Sequence, residues 1–291
     1  MKKFNDCDVF IIRALTNMHV GSGDINFGVI DNMVQRDATT NYPCIHGSSL
    51  KGALREHFKM SSKIDDDKVK IIFGAEASSE PENGNASGDY KFFQARLLAI
   101  PVRSMNQPYY LATCPYIIKE FIEYNEQFGN AGKLASEFKA LIELDLHEEP
   151  GYLFDEKLAN EKKVKVEIED MMVKVVNPTK YKIQVEAIKR IFGFDKLVVL
   201  NDKMFNQFIS SNLPVIARNY LENRVSKNLW YEEIVPRETL FYVGIWKQDN
   251  GKTNTVEFEE ISKILQEDVI QIGANASIGY GYTKFRKLGG E

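Results

Sequence analysis

Residues 40–55, TNYPCIHGSSLKGALR, limit the fold more than any other stretch of this chain. A short extended run meets Gly47, then two serines, a lysine, a second glycine and a helix that carries Arg55. Gly47 permits a sharp backbone turn, and Ser48 or Ser49 can cap the helix that follows. A strand–turn–helix junction of this kind presents unpaired N–H groups at the helix start, and Lys51 and Arg55 stand beside them. That arrangement receives phosphate. It is not a nucleotide-hydrolysing loop, because that motif places its hydroxyl after the lysine and both serines here precede it. A polyanionic backbone, RNA or DNA, suits the junction better. An ordinary capped helix is the plain alternative.

Charge narrows the kind of partner. Lys and Arg number 37 against 41 Asp and Glu, a net charge of −4. The chain as a whole therefore does not attract nucleic acid, and RNA binding would need a local basic surface inside an assembly. With 291 residues and 44% hydrophobic content, the chain can bury one large core with insertions. Cys7, Cys44 and Cys114 form no CxxC pair. They read as reduced cytosolic thiols, not a zinc site or a disulfide framework. The apolar segment near the N-terminus is too short for a signal peptide or a membrane span. A soluble, cytoplasmic protein without a membrane partner is expected.

The periodicity gives strands at residues 9–15, 93–103, 109–114, 196–200, 240–246 and 269–272. Helices are expected over 48–60, 65–74, from 115 onward, 129–145, 185–192, 202–210 and 256–265. In the first of these, Leu50, Ala53, Leu54 and Phe58 form one stripe. Residues 214–220 and 229–235 look like two arms of an extended hairpin, and 152–182 carry a lysine-rich alternating pattern. Residues 76–89 are poor in apolar side chains and read as a flexible loop. Strands and helices do not alternate with the βα rhythm of a doubly wound sheet, so the fold class is α+β.

Four groups of residues carry candidate chemistry. A second glycine cluster at 273–281 includes Gly279 and Gly281 and permits close backbone approach to a ligand. Asp24, Asp31 and Asp37 offer oxygen to a hard cation, and His19 is an acid or base near neutral pH. Asp31 differs from the other two because Val29, Ile30, Met33 and Val34 surround it in sequence, and a charge there needs a partner or a role. Glu232 and Glu233 are adjacent carboxylates on a strand, where alternation would turn one of them to solvent. Arg218, Arg224 and Lys227 near the hairpin tip can meet phosphate, or form a solvated edge.

Together, GSSLKGALR at 47–55, HVGSG at 19–23, IDNMVQR at 30–36 and IGANASIGYG at 272–281 resemble the RAMP superfamily of CRISPR effector proteins. ARLLAIPVRS at 95–104, TCP at 113–115 and LWYEEIVPRETLFY at 229–242 narrow the likeness to the backbone subunit of the type III-B effector complex. The type III-A backbone subunit is similar over its first half, but it is shorter and lacks the WYEEIVP segment. The likeness covers almost the whole chain.

The resemblance implies a modified RNA-recognition-motif, ferredoxin-like core with an inserted helical lid and a β-hairpin thumb. Residues 1–291 would be a single domain with three insertions: a flexible loop at 75–91, a helical, lysine-rich stretch at 115–182, and the thumb at 214–236. It also implies that several copies stack into a helical filament on CRISPR RNA, with other type III-B effector subunits. Each thumb would displace the duplex between guide and target single-stranded RNA at regular intervals. The subunit would cut the target there with a divalent cation, Mg2+ or Mn2+, bound only with the RNA substrate. Asp31 matches the essential, metal-associated aspartate and His19 the loop histidine, while Glu232 and Glu233 lie in the acidic thumb segment with the alignment open. Gly47, Ser48, Ser49, Lys51, Arg55, Arg36, Arg218, Gly279 and Gly281 fall in the RNA-binding segments. Met33 and His46 stand where the family often has proline, and neither change removes a catalytic group.

The implied reaction suits these residue types. A ribose 2′-hydroxyl held in line with its own phosphate attacks it, leaving a 2′,3′-cyclic phosphate and a 5′-hydroxyl. Orientation matters more than nucleophile strength, and a cation or Lys/Arg stabilises charge on the phosphate. DNA lacks the hydroxyl and is spared. A non-catalytic guide-binding scaffold, and a stand-alone enzyme that processes precursor RNA, are the alternatives. The long segment at 214–236 argues against the second.

Overall fold

A computed structural model describes residues 7–23, 29–61, 63–75, 87–129, 134–146, 149–193, 196–248 and 256–289. Asp24 and most of the expected loop at 75–91 lie outside the described residues.

The frame is four antiparallel strands and two helices. Strand β1 (Cys7–Ala14) leads through the two-residue β2 (Cys44–Ile45) to helix α1 (Gly47–Met60). A short helix α2 (Asp66–Phe73) and β3 (Tyr90–Phe92) come before β4 (Ala95–Val102). Much later come β12 (Leu240–Lys247), helix α8 (Phe258–Glu267), β13 (Val269–Gln271) and β14 (Tyr282–Lys287). In space the order is β14-β1-β12-β4, with every neighbouring pair antiparallel. With α1 between β1 and β4 and α8 between β12 and β14, this is the βαββαβ ferredoxin-like arrangement. Phe10, Ile12 and Ala14 on β1 are fully buried, as expected of a strand with partners on both sides.

Between β4 and β12 the chain carries its insertion. Strand β5 (Tyr110–Thr113) pairs with β4, and helix α3 (Pro115–Phe128) follows with its proline in the first turn. Phe121 and Tyr124 of this helix meet the Tyr242 ring edge-on, with centroids 5.0 and 5.2 Å apart. Helix α4 (Leu134–Ile142) packs on α3 and on α6 (Lys182–Phe192). The expected helical lid is therefore present, and strands accompany it. Strand β6 (Gly151–Phe154), the short helix α5 (Glu156–Asn160), β7 (Lys165–Ile168) and β8 (Met171–Val176) fill the lysine-rich stretch. Val166 and Ile168 face in while Lys165 and Glu167 face out, the alternation expected of a half-buried strand. With β9 (Leu197–Leu200) these strands extend the core sheet, which counts twelve strands among the described residues. Helix α7 (Asp202–Ser211) then leads into a separate two-stranded hairpin of β10 (Val215–Glu222) and β11 (Val225–Glu233).

Topology decides where the site forms. Because β1 runs against both β12 and β14, its C-terminal end lies beside their starts, with Arg13 opposite Leu240 and Ala14 opposite Thr283. Three distant segments therefore meet at one end of the sheet: residues 15–23 and 29–46 after β1, the hairpin base before β12, and the glycine loop before β14.

Candidate functional site

The hairpin projects from the body. Tyr220, Leu221, Val225 and Leu229 are each more than half exposed. At its base, the last residues of β11 serve as an anchor for the segment after β1. Asp31 N–H and Asn32 N–H both donate to the Tyr231 carbonyl at 3.1 Å, and Glu233 N–H donates to the Asn32 carbonyl at 2.9 Å. Residues 18–22 pair with residues 33–35 through Gly21 opposite Val34, and Met18 exchanges backbone bonds of 2.9 and 2.8 Å with Val235.

Both thumb glutamates are buried, against the expectation that alternation would expose one. Glu232 is 7% exposed and Glu233 4%. The reason is that the base is covered on both faces. On one side the C-terminal glycine loop meets Glu232. Its carboxylate accepts from Arg218 Nε at 2.9 Å, Trp230 Nε1 at 2.9 Å and Asn275 Nδ2 at 3.0 Å. Burial pushes its pKa up, but the Trp230 bond and the charges of Arg218 and His19 outweigh that and hold it below the usual glutamate value. On the other side Glu233 is ion-paired with Arg36 and accepts from Val34 N–H at 3.2 Å. Arg36 also donates to the Asn41 carbonyl at 2.8 Å, and Arg218 lies 4.9 Å from the centroid of the Tyr280 ring. Arg36 and Arg218, expected above among the RNA-binding residues, are each ion-paired within the protein.

His19 and Asp31 are brought to the same three residues of β11. Buried His19 places Nδ1 2.7 Å from the Glu233 carbonyl oxygen. Asp31 is exposed, as is Val29 two residues before it, so its charge stands in water and not in an apolar setting. Its Oδ2 accepts from Tyr231 N–H at 2.7 Å. Asp37 has become a turn residue: it accepts from Thr39 N–H, Thr40 N–H and Gln94. Burial raises its pKa, yet these donors hold it below the ordinary aspartate value. Among the described residues no three His, Cys, Asp or Glu side chains converge to hold a metal ion. A divalent cation at this site would rely on Asp31 together with substrate phosphate and water, which is how Mg2+ is often held.

The phosphate cradle takes a different form from the expected one. Helix α1 begins at Gly47 with His46 as its N-cap, so Ser48 and Ser49 lie inside the first turn and neither caps it. A Cβ on Gly47 would come within 2.6 Å of the Phe92 carbonyl, so this glycine serves close packing. Capping passes to Gln35, a residue the sequence reading missed. Its side chain is buried and accepts from His46 N–H at 2.8 Å, while its amide donates to Ser49 Oγ at 2.8 Å and the Gly21 carbonyl at 3.2 Å. A glutamine within the extended run MVQ was the available signal, since a buried amide must find partners. Ser48 is exposed at the helix start. Lys51 has its pKa lowered by desolvation and by the charges of Lys91 and Arg55 nearby. Arg55 also donates to the Gly74 carbonyl at 2.9 Å.

The second glycine cluster approaches protein, not open space, at two positions. Gly273 (φ 93°) leaves room for the His19 carbonyl, which a Cβ would meet at 2.5 Å; Gly281 (φ 78°) does the same for the Ile272 carbonyl at 2.1 Å. Ala274 N–H donates to the His19 carbonyl at 2.9 Å, so this loop clasps the histidine segment. Gly279 (φ 84°) has open space beside it and stays available to a ligand.

Comparison with known proteins places this geometry. The Cmr endoribonuclease Cmr4 of Pyrococcus furiosus is 27% identical over 280 residues, covering 94% of this chain and 92% of that protein. A type III-B Cmr-beta complex bound to cognate target RNA contains a chain with a TM-score of 0.74 and 22% identity, covering 97% of this chain and 96% of that one. Oligomeric Cmr4 from Pyrococcus furiosus superposes with a TM-score of 0.69 at 24% identity, covering 97% and 98% respectively. These structural likenesses extend the fold match to the insertion and the hairpin. With the model of the RAMP superfamily matching residues 11–284, the chain belongs to that superfamily.

Proposed function

We propose that this protein is a guide-RNA-binding backbone subunit of a cytoplasmic type III-B CRISPR effector complex, and that it cuts guide-paired target RNA. The observation that carries the reading is the pairing of an exposed carboxylate, Asp31, with His19 on three consecutive residues at the base of a projecting hairpin. The relative named as an endoribonuclease supports it across nearly the full chain. Partners would be CRISPR RNA, target single-stranded RNA, further copies of this chain and other subunits of the complex.

In this reading the α1 start, with Ser48, Lys51 and Arg55, holds the guide backbone. The exposed apolar residues of the hairpin wedge the duplex apart and splay a target nucleotide toward the base. Asp31, fixed by Tyr231 N–H, orients the 2′-hydroxyl in line with its phosphate, and His19 assists proton movement. A divalent cation, Mg2+ or Mn2+, arriving with the RNA would supply charge stabilisation at the phosphate. Glu232 and Glu233 serve as clamps that hold the base in register.

The test is the assembled complex with guide, divalent cation and matched target. Cleavage at regular intervals is expected, with cyclic-phosphate ends, and a 2′-deoxy nucleotide at each displaced position blocks it. Cutting that survives the 2′-deoxy substitution would overturn the chemistry. The non-catalytic scaffold has one observation in its favour, since both thumb glutamates are already paired with arginine. Intact RNA after incubation would select it.

A further inference from the structure

We infer that Gly21 is a positioning residue that keeps the Nε2 face of His19 open, so that His19 works through Nε2 alone. The inference rests on the cleavage reading above and deepens it.

The ring's protonation pattern follows from its partner. A backbone carbonyl only accepts, so the 2.7 Å contact between His19 Nδ1 and the Glu233 oxygen requires the proton on Nδ1. In the neutral ring Nε2 then carries the lone pair. Nε2 makes no hydrogen bond among the described residues.

Gly21 faces that nitrogen. A Cβ built on Gly21 would lie 3.1 Å from His19 Nε2, 3.8 Å from Cδ2 and 4.0 Å from Cε1, its three nearest atoms. Its backbone is not in the left-handed region, so alanine fits the conformation and the imidazole is the nearest obstacle. Gly21 cannot retreat. It is bridged to Val34, its carbonyl accepts from Gln35, and the flanking Ser22 N–H donates to the Met33 carbonyl at 2.9 Å. The ring is held at its other end by Glu233, so an added methyl would both cover Nε2 and swing the ring about Nδ1.

The step this serves is general-base catalysis. Nε2 takes the proton of the ribose 2′-hydroxyl as that oxygen bonds to the adjacent phosphorus. The bond from phosphorus to the 5′-oxygen breaks, and the departing oxygen takes a proton from water.

A double-mutant cycle in the assembled complex tests this. Gly21→Ala should slow cleavage at saturating target by about 10-fold or more, with target affinity changed less than about two-fold. In a His19→Ala background the same change should cost less than about two-fold. Equal cost in both backgrounds, or no cost in either, overturns the proposal. Histidine-selective nitrogen NMR on the full chain reads the ring without any cleavage. His19 should show Nδ1 as the protonated nitrogen at high pH, and Gly21→Ala should shift its Nε2 signal while those of His46 and His57 stay in place. The opposite tautomer, or an unmoved His19 signal, overturns the proposal even if the complex never cuts RNA. Absence of cutting alone overturns only the cleavage reading.

Discussion

Asp31 is held by the same short piece of β11 to which Glu233 belongs, yet the two carboxylates answer to opposite physics. Asp31 is exposed, and its carboxylate is pinned by a backbone N–H. Glu233 is buried, and its carboxylate is consumed by Arg36 and Val34 N–H. A charge kept in water is cheap to remove, whereas removing one member of a buried pair strands the other. The exposed edge of this site is where chemistry can be done, and the covered base is what holds that edge in place. Counting carboxylates near a cleavage point would miss this division. Measuring cleavage and stability together reveals it.

The largest expected effect falls on the exposed side. Asp31→Ala should reduce target cleavage by the assembled complex by roughly 100- to 1,000-fold, the scale of losing one aligned group at a developing charge. Guide and target binding should persist, and chain stability should change by less than about 0.5 kcal/mol, as for an exposed substitution. Cleavage at the normal rate would break the assignment. A large loss of stability would break the comparison instead, because Asp31 would then be structural.

The next effect falls on the buried side and reverses the pattern. Glu233→Ala should destabilise the chain by about 3 kcal/mol, because it leaves Arg36 in a dry site without its partner. Urea unfolding of the isolated chain measures this. Replacing Arg36 and Glu233 together by methionine should recover most of the loss, since the pair as a whole contributes little net stability. If the single and double variants are equally unstable, the ion pair is not what holds the base.

Much of this division was open to reading in the sequence, and the unread part has a common cause. The strand, helix and hairpin assignments held because their periodicities are local: Leu50, Leu54 and Phe58 are buried on α1 as their spacing requires. His19, Asp31 and the thumb glutamates were identified through motif likeness, and the topology does bring them together. What failed was inference about burial and partners. Alternation along β11 predicted one wet glutamate, but the glycine loop and residues 31–36 cover both faces. Arg36 and Arg218 were expected to bind RNA, yet each is paired with a carboxylate, Glu233 across the fold and Glu232 across the hairpin. The cap on α1 came from Gln35 across a turn, not from the serines beside it. In each case the deciding contact lies between segments that local periodicity treats as independent.

A smaller effect separates the guide cradle from both. Lys51 stands in a basic cluster at the start of α1, beside Lys91 and Arg55. Lys51→Gln should weaken guide-RNA binding by a similar factor for every sequence. It should also lower the slope of log affinity against log salt by about 0.7, the value for one phosphate contact on a single strand. Cleavage per bound target should not change. An unchanged salt slope would place the guide backbone elsewhere.

The smallest effect is a pH dependence that distinguishes the Glu232 clamp from an ordinary surface acid. Glu232 is held below the usual glutamate value of 4.5 by Trp230, Arg218 and His19, which together outweigh its burial. A carboxyl whose pKa is lower in the folded chain binds fewer protons there than in the unfolded chain. Stability from it is therefore fully present above the unfolded value and is lost as pH falls through the folded one. The loss begins below about pH 4.5. Arg218 faces the carboxylate with positive charge throughout that range. Glu232→Gln keeps the shape and removes the titration. The variant should be less stable than the parent near neutral pH, but its stability should decline less steeply in acid, so the two curves converge as pH falls. Parallel curves would mean that Glu232 titrates alike in the folded and unfolded chains. Its contacts with Arg218 and Trp230 would then fix geometry without favouring the charged form, and the base would be held chiefly by the Arg36–Glu233 side.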